Sequence, residues 1–223
     1  MSSYRPVPLG FERLPPDEMT ARARAYADAM VTRRTVRDFA STPIPDGILA
    51  DAVRAAASAP SGAHQQPWTF VVVTDVEVKA KLRAAAEAEE QKSYAGRMSE
   101  EWLTALAPLG VDWQKPHLTE APAVIVVFAQ PWGLDPADPA RKVKHYYVDE
   151  SVRIAVGMLL SALHLAGLAT LTHTPSPMGF LRELLGRPAN ERAYVVIPVG
   201  YPADGAVVPD LTRKPLAEVM VEV

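Results

Sequence analysis

Four apolar runs divide the chain and predict the strands of a buried sheet. They lie at residues 68–74, 122–130, 168–171 and 194–200, and most of their residues are apolar. Continuous apolar runs of this length are typical of strands covered on both faces, whereas a half-exposed strand alternates apolar with polar residues. We therefore expect four strands at the centre of the fold.

Helical periodicity fills the segments between these strands. Met19, Ala23 and Tyr26 recur on one side of a helix predicted from Asp17 to about Thr32. The segment from about Glu150 to Leu165 is apolar on nearly every face, which favours a helix at the centre of the fold. Further helices are predicted from Pro45 to Ser58, from Asp75 to about Arg97 and through Leu181–Leu185. Strands interspersed with helices indicate an α/β (α+β) domain of three layers.

Three segments are predicted to lie outside this framework. Residues 99–120 carry two tryptophans, Lys115 and two prolines and are expected to form a short helix followed by a long irregular loop. Long loops of this kind are usually lids or binding elements, so we expect an active-site lid. Residues 131–140 are expected to form a proline-rich loop. Residues 201–223 form a C-terminal extension ending in an apolar strand that we expect to add to a sheet edge, including that of a second subunit. We find no internal repeat or domain boundary and expect one domain over residues 1–223.

Composition excludes several classes of function. A chain of 223 residues with 48% hydrophobic and 22% charged residues suits one globular core, and a net charge of -3 argues against nucleic-acid binding. The absence of cysteine removes disulfides, thiolate catalysis and cysteine metal sites, and it is consistent with a reducing, cytoplasmic location. The five histidines lack the spacing of a metal site. Residues 1–16 do not resemble a signal peptide or anchor, so no membrane is expected either.

A polar loop follows the second predicted helix and is the first candidate site. Pro60 ends the helix, Gly62 is expected to permit a tight turn, and Ser61 and His64 bring polar side chains to the mouth of a buried strand. Loops at strand ends often carry binding residues, although an ordinary turn between a helix and a strand would have the same composition.

Two further polar clusters suit a flat anionic cofactor. Arg33-Arg34-Thr35 offers guanidinium groups for a phosphate, and Thr172-His173-Thr174 offers hydroxyl groups, with Arg213 as a further cation. A dinucleotide would require a GxGxxG turn after the first strand, and this sequence has none. FMN fits the clusters better, while solvated surface arginines remain the alternative interpretation.

The start motif and the polar loop together resemble a known family. Arg33-Arg34-Thr35-Val36-Arg37, followed by Ala59-Pro60-Ser61-Gly62-Ala63-His64, is similar to the flavin-binding start of the FMN-dependent nitroreductases, and within them to the iodotyrosine deiodinase branch. The resemblance covers residues 33–223. It implies a homodimer of three-layer sandwiches, each with a central mixed sheet flanked by helices and a C-terminal strand exchanged with the partner subunit.

The resemblance also implies which residues contact FMN. Thr35 stands where serine is usual, and His173 stands where the branch carries a third threonine, so the effect of both on the flavin is left open. The residues expected to bind the cofactor are Arg33, Arg34, Thr35, Pro60, Ser61, Gly62, Thr172, His173, Thr174 and Arg213.

Glu90, Tyr94 and Lys115 form the candidate substrate site. Glu90 and Tyr94 are four residues apart and so project from one helical face, although a solvated carboxylate beside a packed ring would show the same spacing. The three residues resemble the Glu-Tyr-Lys set with which the branch binds the zwitterion of a halogenated tyrosine. A carboxylate suits the substrate ammonium, whereas a phenol and an ammonium suit its carboxylate. Ala63 is expected to lie against the substrate.

The resemblance implies FMN-dependent reductive dehalogenation of halotyrosines. Electrons would pass singly from the flavin, with Thr174 as the catalytic hydroxyl at N5 and the backbone of residues 61–63 holding the phenolate oxygen. NAD(P)H would supply the electrons directly or through a reductase. The alternatives are a broad nitroreductase or quinone reductase of the same fold and a non-catalytic carrier of flavin or ligand.

Overall fold

The computed structural model describes residues 4–223, and its backbone divides into two compact units. The first unit ends at Arg33 and contains helix α1 (Pro16–Thr32), which matches the predicted helix and begins with proline, a residue that fits the first helical turn. The second unit is Arg34–Val223. A single domain over residues 1–223 therefore stays a prediction, and residues 1–3 lie outside the described residues.

Helices and strands alternate along the second unit. The helices are α2 (Ile48–Ala57), α3 (Val76–Lys92), α4 (Glu100–Leu106), α5 (His117–Glu120), α6 (Val148–Leu165) and α7 (Gly179–Leu184). The strands are β1 (Trp68–Val73), β2 (Ala123–Ala129), β3 (Trp132–Asp135), β4 (Asp138–Lys144), β5 (Ala169–Thr170) and β6 (Arg192–Gly200). No helix within residues 4–223 is both long enough and apolar enough to cross a membrane.

A four-stranded sheet in the order β1-β2-β6-β5 forms the middle layer, and its neighbouring strands are antiparallel. All residues of β2 are buried, because Ile125 and Val127 pack on one face while Val124 and Phe128 pack on the other. Burial on both faces explains why this strand is apolar without alternation.

Helices cover both faces of the sheet. On one face, α2 and α6 pack through side chains such as Ala56 and Leu159. On the other face, α3 and α7 pack through Leu82 and Leu181, and all four of these side chains are fully buried. This arrangement confirms the predicted three-layer sandwich of helices and sheet.

Two details of the predicted sheet require correction. Strand β1 lies at the sheet edge, where the helices cover it only in part, so Val72 remains 41% exposed instead of buried on both faces. The sheet was expected to be mixed, but the paired strands are antiparallel and its parallel component is one isolated bridge between Thr35 and Thr170.

The predicted proline-rich loop at residues 131–140 is instead part of the hairpin β3-β4. Gly133 pairs with Val143, and Asp135 accepts a hydrogen bond of 2.8 Å from the backbone N–H of Ala137 in the turn. Pro139 is tolerated in β4 because a two-stranded ribbon leaves one edge of each strand unpaired. The prolines are therefore the reason that the sequence predicted a loop here instead of a hairpin.

The C-terminal extension does not form the expected strand in this single chain. After Gly200, the described residues contain one short 3-10 turn, Leu216–Glu218, and no strand. Apolar side chains stay exposed there, including Leu216 at 68% and Val221 at 84%. Exchange of this segment with a partner subunit stays a prediction.

Two substitutions on helix α3 test this assignment of the core. Leu82→Ala should lower the free energy of unfolding by about 2–5 kcal/mol, because it removes a fully buried side chain from the α3 side of the sheet. Val76→Ala, at a position 75% exposed on the same helix, should change it by less than about 0.5 kcal/mol. Denaturant unfolding of both variants measures the difference, and equal losses would contradict the described packing.

Candidate active site

A cavity of about 180 Å³ lies where the end of α3, the lid segment 99–120 and the chain after β5 meet. It brings together three of the four predicted substrate residues and three predicted cofactor residues, although they lie far apart in the sequence. The lining residues are Arg37, Glu90, Tyr94, Met98, Trp102, Leu106, Val111, Lys115, His117, Leu171, Thr172, His173 and Thr174.

Glu90 is the charged centre of this cavity. Its side chain is only 11% exposed, with Oε2 3.3 Å from Nζ of Lys115 and Oε1 3.3 Å from Nε2 of His173. Burial alone would raise the pKa of Glu90, but the hydrogen bond from His173 and the charge of Lys115 together lower it below its ordinary value. The cavity therefore contains an ionised carboxylate that could accept a ligand ammonium.

Lys115 and Tyr94 connect the lid to α3. The backbone N–H of Lys115 donates to Glu87 Oε1 at 2.7 Å, while its ammonium donates to the carbonyl of Asp112 and lies 5.8 Å from the Tyr94 ring centroid. The Tyr94 hydroxyl donates to Val111 O at 3.3 Å. Burial, and then the nearby carboxylates, raise the pKa of Tyr94, so its phenol remains a hydrogen-bond donor.

The predicted lid segment begins with the expected short helix, α4, but its expected irregular loop contains a further helix, α5. Ser99 begins α4, its hydroxyl accepting a hydrogen bond of 3.2 Å from the N–H of Trp102. Trp102 lines the cavity with Met98 and is 56% exposed. Trp68, by contrast, belongs to the core.

The side chain of His173 points away from its two threonine neighbours. Its N–H and C=O each form a 2.8 Å hydrogen bond with the backbone of Val196, so the segment continues the sheet beyond β5. Alternation along this extended segment leaves Thr172 and Thr174 exposed and buries His173 against Glu90. Its cofactor contact stays a prediction, while its ring contacts the carboxylate of Glu90.

His117 is a site residue that the sequence reasoning missed. It is 4% exposed, and its ring meets that of His173 edge to face with centroids 5.6 Å apart. Burial, reinforced by His173 and the positive charge of Lys115, lowers the pKa of His117 to about 3. A lone histidine in a loop gives no periodic signal, so the sequence offered no means of finding this contact.

The loop at residues 60–66 corrects the role expected of Gly62. The left-handed backbone conformations fall on Ala63, His64 and Gln66, with φ of 50°, 55° and 48°, rather than on the glycine. Gly62 is required for space, because a Cβ there would overlap the carbonyl oxygen of Tyr146. Ser61 Oγ accepts a hydrogen bond of 2.9 Å from the N–H of Gln66 and so holds the turn closed.

The other predicted cofactor residues are divided among several places. Within residues 4–223, none of Pro60 to Ala63 lines the cavity around Glu90. The Arg34 side chain donates a hydrogen bond to the carbonyl of Pro209, and Thr35 forms an isolated β-bridge with Thr170. These contacts place part of the start motif beside β5 and the C-terminal extension. Arg33 ends the first unit, and Arg213 is exposed in the extension.

Comparisons with known proteins agree with this geometry. The profile of the nitroreductase family matches residues 30–201. A curated iodotyrosine deiodinase of Haliscomenobacter hydrossis is 54% identical over 215 residues, which is 96% of each chain. This chain belongs to the nitroreductase family, in its iodotyrosine deiodinase branch.

Other nitroreductases of this branch are similar over comparable lengths. An iodotyrosine deiodinase of Nematostella vectensis is 46% identical over 221 residues, covering 98% of this chain and 83% of that protein. A crystal structure of an oxidised iodotyrosine deiodinase bound to FMN and 3-iodo-L-tyrosine matches with a TM-score of 0.74. The two chains are 33% identical, and the match covers 88% of this chain and 97% of the other.

The buried histidine gives a testable pH dependence. The unfolded chain binds a proton at His117 near pH 6.5, whereas the folded chain does so only near pH 3, so acidification favours unfolding. We expect the free energy of unfolding to fall between about pH 6 and pH 5. In the His117→Gln variant that slope should be smaller by about one proton, or ~1.4 kcal/mol per pH unit.

Urea unfolding at several pH values measures this slope. His64→Gln, which replaces an exposed histidine, is the matched control for the substitution itself. An unchanged slope in His117→Gln would show that His117 is not held neutral.

Proposed function

We propose that this protein reductively dehalogenates halotyrosines such as 3-iodotyrosine, using FMN. The observation that carries the proposal is the buried pair of Glu90 and Lys115, 3.3 Å apart beside the phenol of Tyr94. These groups complement both charges of an amino-acid zwitterion. The iodotyrosine deiodinase relatives, and the similar structure that holds FMN and 3-iodo-L-tyrosine, support the same substrate and cofactor.

The residues near the cavity fit FMN by their chemistry. Thr172 and Thr174 are exposed hydroxyl donors at the cavity, and Arg34 and Thr35 lie in the segment beside β5. We assign the arginine to the phosphate and the hydroxyls to the edge of the flavin ring, with Thr174 at N5. Bound FMN would supply two electrons, one at a time, to the substrate. The roles of Arg33, Pro60 and Arg213 in cofactor binding remain proposals from the sequence.

Substrate binding would replace the ion pair between Glu90 and Lys115 with two ion pairs between these residues and the ligand. The ligand ammonium takes the place of Lys115 at Glu90, and the ligand carboxylate accepts hydrogen bonds from Lys115 and from the Tyr94 hydroxyl. Because these groups are buried beneath the lid, each contact acts in a medium of low dielectric constant and is stronger than in water. The backbone N–H groups of residues 61–63 would hold the phenolate oxygen, with Ala63 over the aromatic ring.

We further propose that the enzyme is a homodimer whose sites combine residues of both chains. Two observations support this arrangement. The polar loop at residues 60–63 does not line the cavity of its own chain, and large apolar side chains stay exposed, among them Ile154 and Leu165 on α6 and Val221 in the tail. Large contiguous patches of exposed apolar residues are typical of surfaces that another chain covers. The C-terminal strand would form in this interface.

The sequence also bears on the electron donor and the location of the enzyme. We propose NAD(P)H as the donor, either directly or through a reductase, and the cytoplasm as the location. The cysteine-free sequence suits a reducing compartment of this kind.

Anaerobic titration tests the activity and the role of Glu90 together. Mixing the dithionite-reduced, FMN-loaded protein with 3-iodotyrosine should release iodide and return the absorbance of oxidised flavin. Glu90→Gln should weaken iodotyrosine binding by roughly 30-fold or more, because it removes a buried charge that pairs with the ligand ammonium. Reduction of a neutral nitroarene should be nearly unchanged in this variant.

Glu89→Gln is the matched control for this titration. Glu89 precedes Glu90 on α3, but it pairs outward with Lys92 and Arg97 and does not line the cavity. It should keep wild-type binding. Failure of the wild-type protein to release iodide would remove the proposed activity, and equal loss of both substrates in Glu90→Gln would favour a broad nitroreductase.

A heterodimer of two variants tests the shared site. We pair Gly62→Ala, which disturbs the polar loop, with Glu90→Gln, and purify the mixed dimer through two different tags. If each site takes its loop from one chain and Glu90 from the other, one of the two sites is restored. The mixed dimer should then show about half the wild-type dehalogenation rate per dimer. Activity no higher than that of the two variant homodimers would place each site within one chain.

A further inference from the structure

His173 is a buried polar residue that the proposed chemistry does not use. Its Nε2 lies 3.3 Å from Glu90 Oε1, and its Nδ1 has no hydrogen-bond partner among the described residues. Because Nδ1 is buried without an acceptor, the imidazole hydrogen belongs on Nε2, where Glu90 accepts it. The ring is therefore a donor aimed at the carboxylate that would bind the substrate ammonium.

The orientation of this ring is fixed from two sides. Both backbone hydrogen bonds to Val196 hold His173 in the sheet, and the edge of His117 packs against the ring with an interplanar angle of 81°. Burial, together with the charges of Lys115 and Arg37, outweighs the attraction of Glu90 and lowers the pKa of His173. A neutral ring in a fixed position donates one hydrogen bond without adding a second positive charge to the cavity.

A bound ligand would draw Lys115 away from Glu90, whereas His173 would keep its contact with Glu90. An incoming zwitterion draws Lys115 towards the ligand carboxylate, so Glu90 loses that partner and gains the ligand ammonium. His173 contacts the other carboxylate oxygen and belongs to the sheet rather than to the lid. It can therefore keep Glu90 in place while the ion pair is exchanged.

We propose that His173 is a positioning residue that holds Glu90 towards the ligand ammonium through its Nε2–H, and so favours zwitterionic over neutral phenol ligands. The inference rests on the proposed function for its ligand, but the hydrogen bond itself can be tested without any ligand.

Two substitutions separate this role from a general packing role. The amide nitrogen of His173→Gln reaches about as far from the backbone as Nε2 of histidine, whereas that of His173→Asn reaches only as far as Nδ1. Glutamine should therefore restore the hydrogen bond to Glu90 and asparagine should not. Asparagine also leaves more empty space than glutamine, so a ligand without an ammonium is needed to separate the lost hydrogen bond from lost packing.

The first experiment measures ligand binding to the FMN-loaded protein by calorimetry. His173→Asn should bind 3-iodotyrosine roughly tenfold or more weakly than the wild type, while His173→Gln should remain within a few-fold of it. Binding of 2-iodophenol, which has no ammonium, should change little in either variant. In steady state, the loss in His173→Asn should appear in KM rather than in kcat. Equal binding of 3-iodotyrosine by the two variants would overturn the proposal.

The second experiment observes the ring in the wild-type protein. Long-range proton–nitrogen NMR of the five histidines should show one buried imidazole protonated at Nε2 only, with a nitrogen shift that responds to Glu90→Gln but not to Glu89→Gln. A His173 ring protonated at Nδ1, or one insensitive to Glu90→Gln, would overturn the inference even if a His173 variant failed to fold. If wild-type protein bound no 3-iodotyrosine, the proposed function would fail while this spectrum still decided the hydrogen bond.

Discussion

A carboxylate in an apolar interior must have partners, and the arrangement of the site depends on those of Glu90. Removing an ion from water costs on the order of several kcal/mol unless charges and hydrogen bonds replace the solvent. Lys115 brings one partner from the lid, and His173 brings another from the sheet. Three segments separated in the sequence therefore meet around one charge. The ion pair that ties the predicted lid segment to the cavity is the one that the proposed substrate would displace.

This internal pairing also has consequences for selectivity. In the proposed binding mode, a zwitterion would supply one charge for Glu90 and another for Lys115, so neither buried group would be left unpaired when the ligand enters. A neutral phenol would either leave the ion pair intact or separate its two charges and replace neither. Discrimination would then arise from the cost of unpaired charge with the wrong ligand as much as from attraction to the correct one.

The sequence predicted what periodicity and burial encode, and it missed contacts between distant residues. Strand β2 was evident because both of its faces are buried, and the spacing of Glu90 and Tyr94 placed them on one helical face. The assignment of Lys115 to the same site came from resemblance alone. The ring of His173 meets a carboxylate 83 residues away, and no local pattern encodes that contact. The hairpin β3-β4 was concealed because prolines are more often found in loops.

The loop at residues 60–66 shows a second constraint, which is the left-handed backbone at Ala63, His64 and Gln66. Left-handed conformations at non-glycine residues cost about 1–3 kcal/mol each and persist only where surrounding contacts fix them. Here the Gln65 side chain accepts a hydrogen bond of 2.8 Å from Tyr146 N–H and donates one of 3.1 Å to Lys144 O. Gly62, which has no side chain, leaves room for the backbone of Tyr146. Because these contacts fix the strained loop, its backbone N–H groups are already in position before a ligand binds. Such preorganisation suits the binding of a phenolate oxygen, and a second chain that presents this loop to the Glu90 cavity would complete the site.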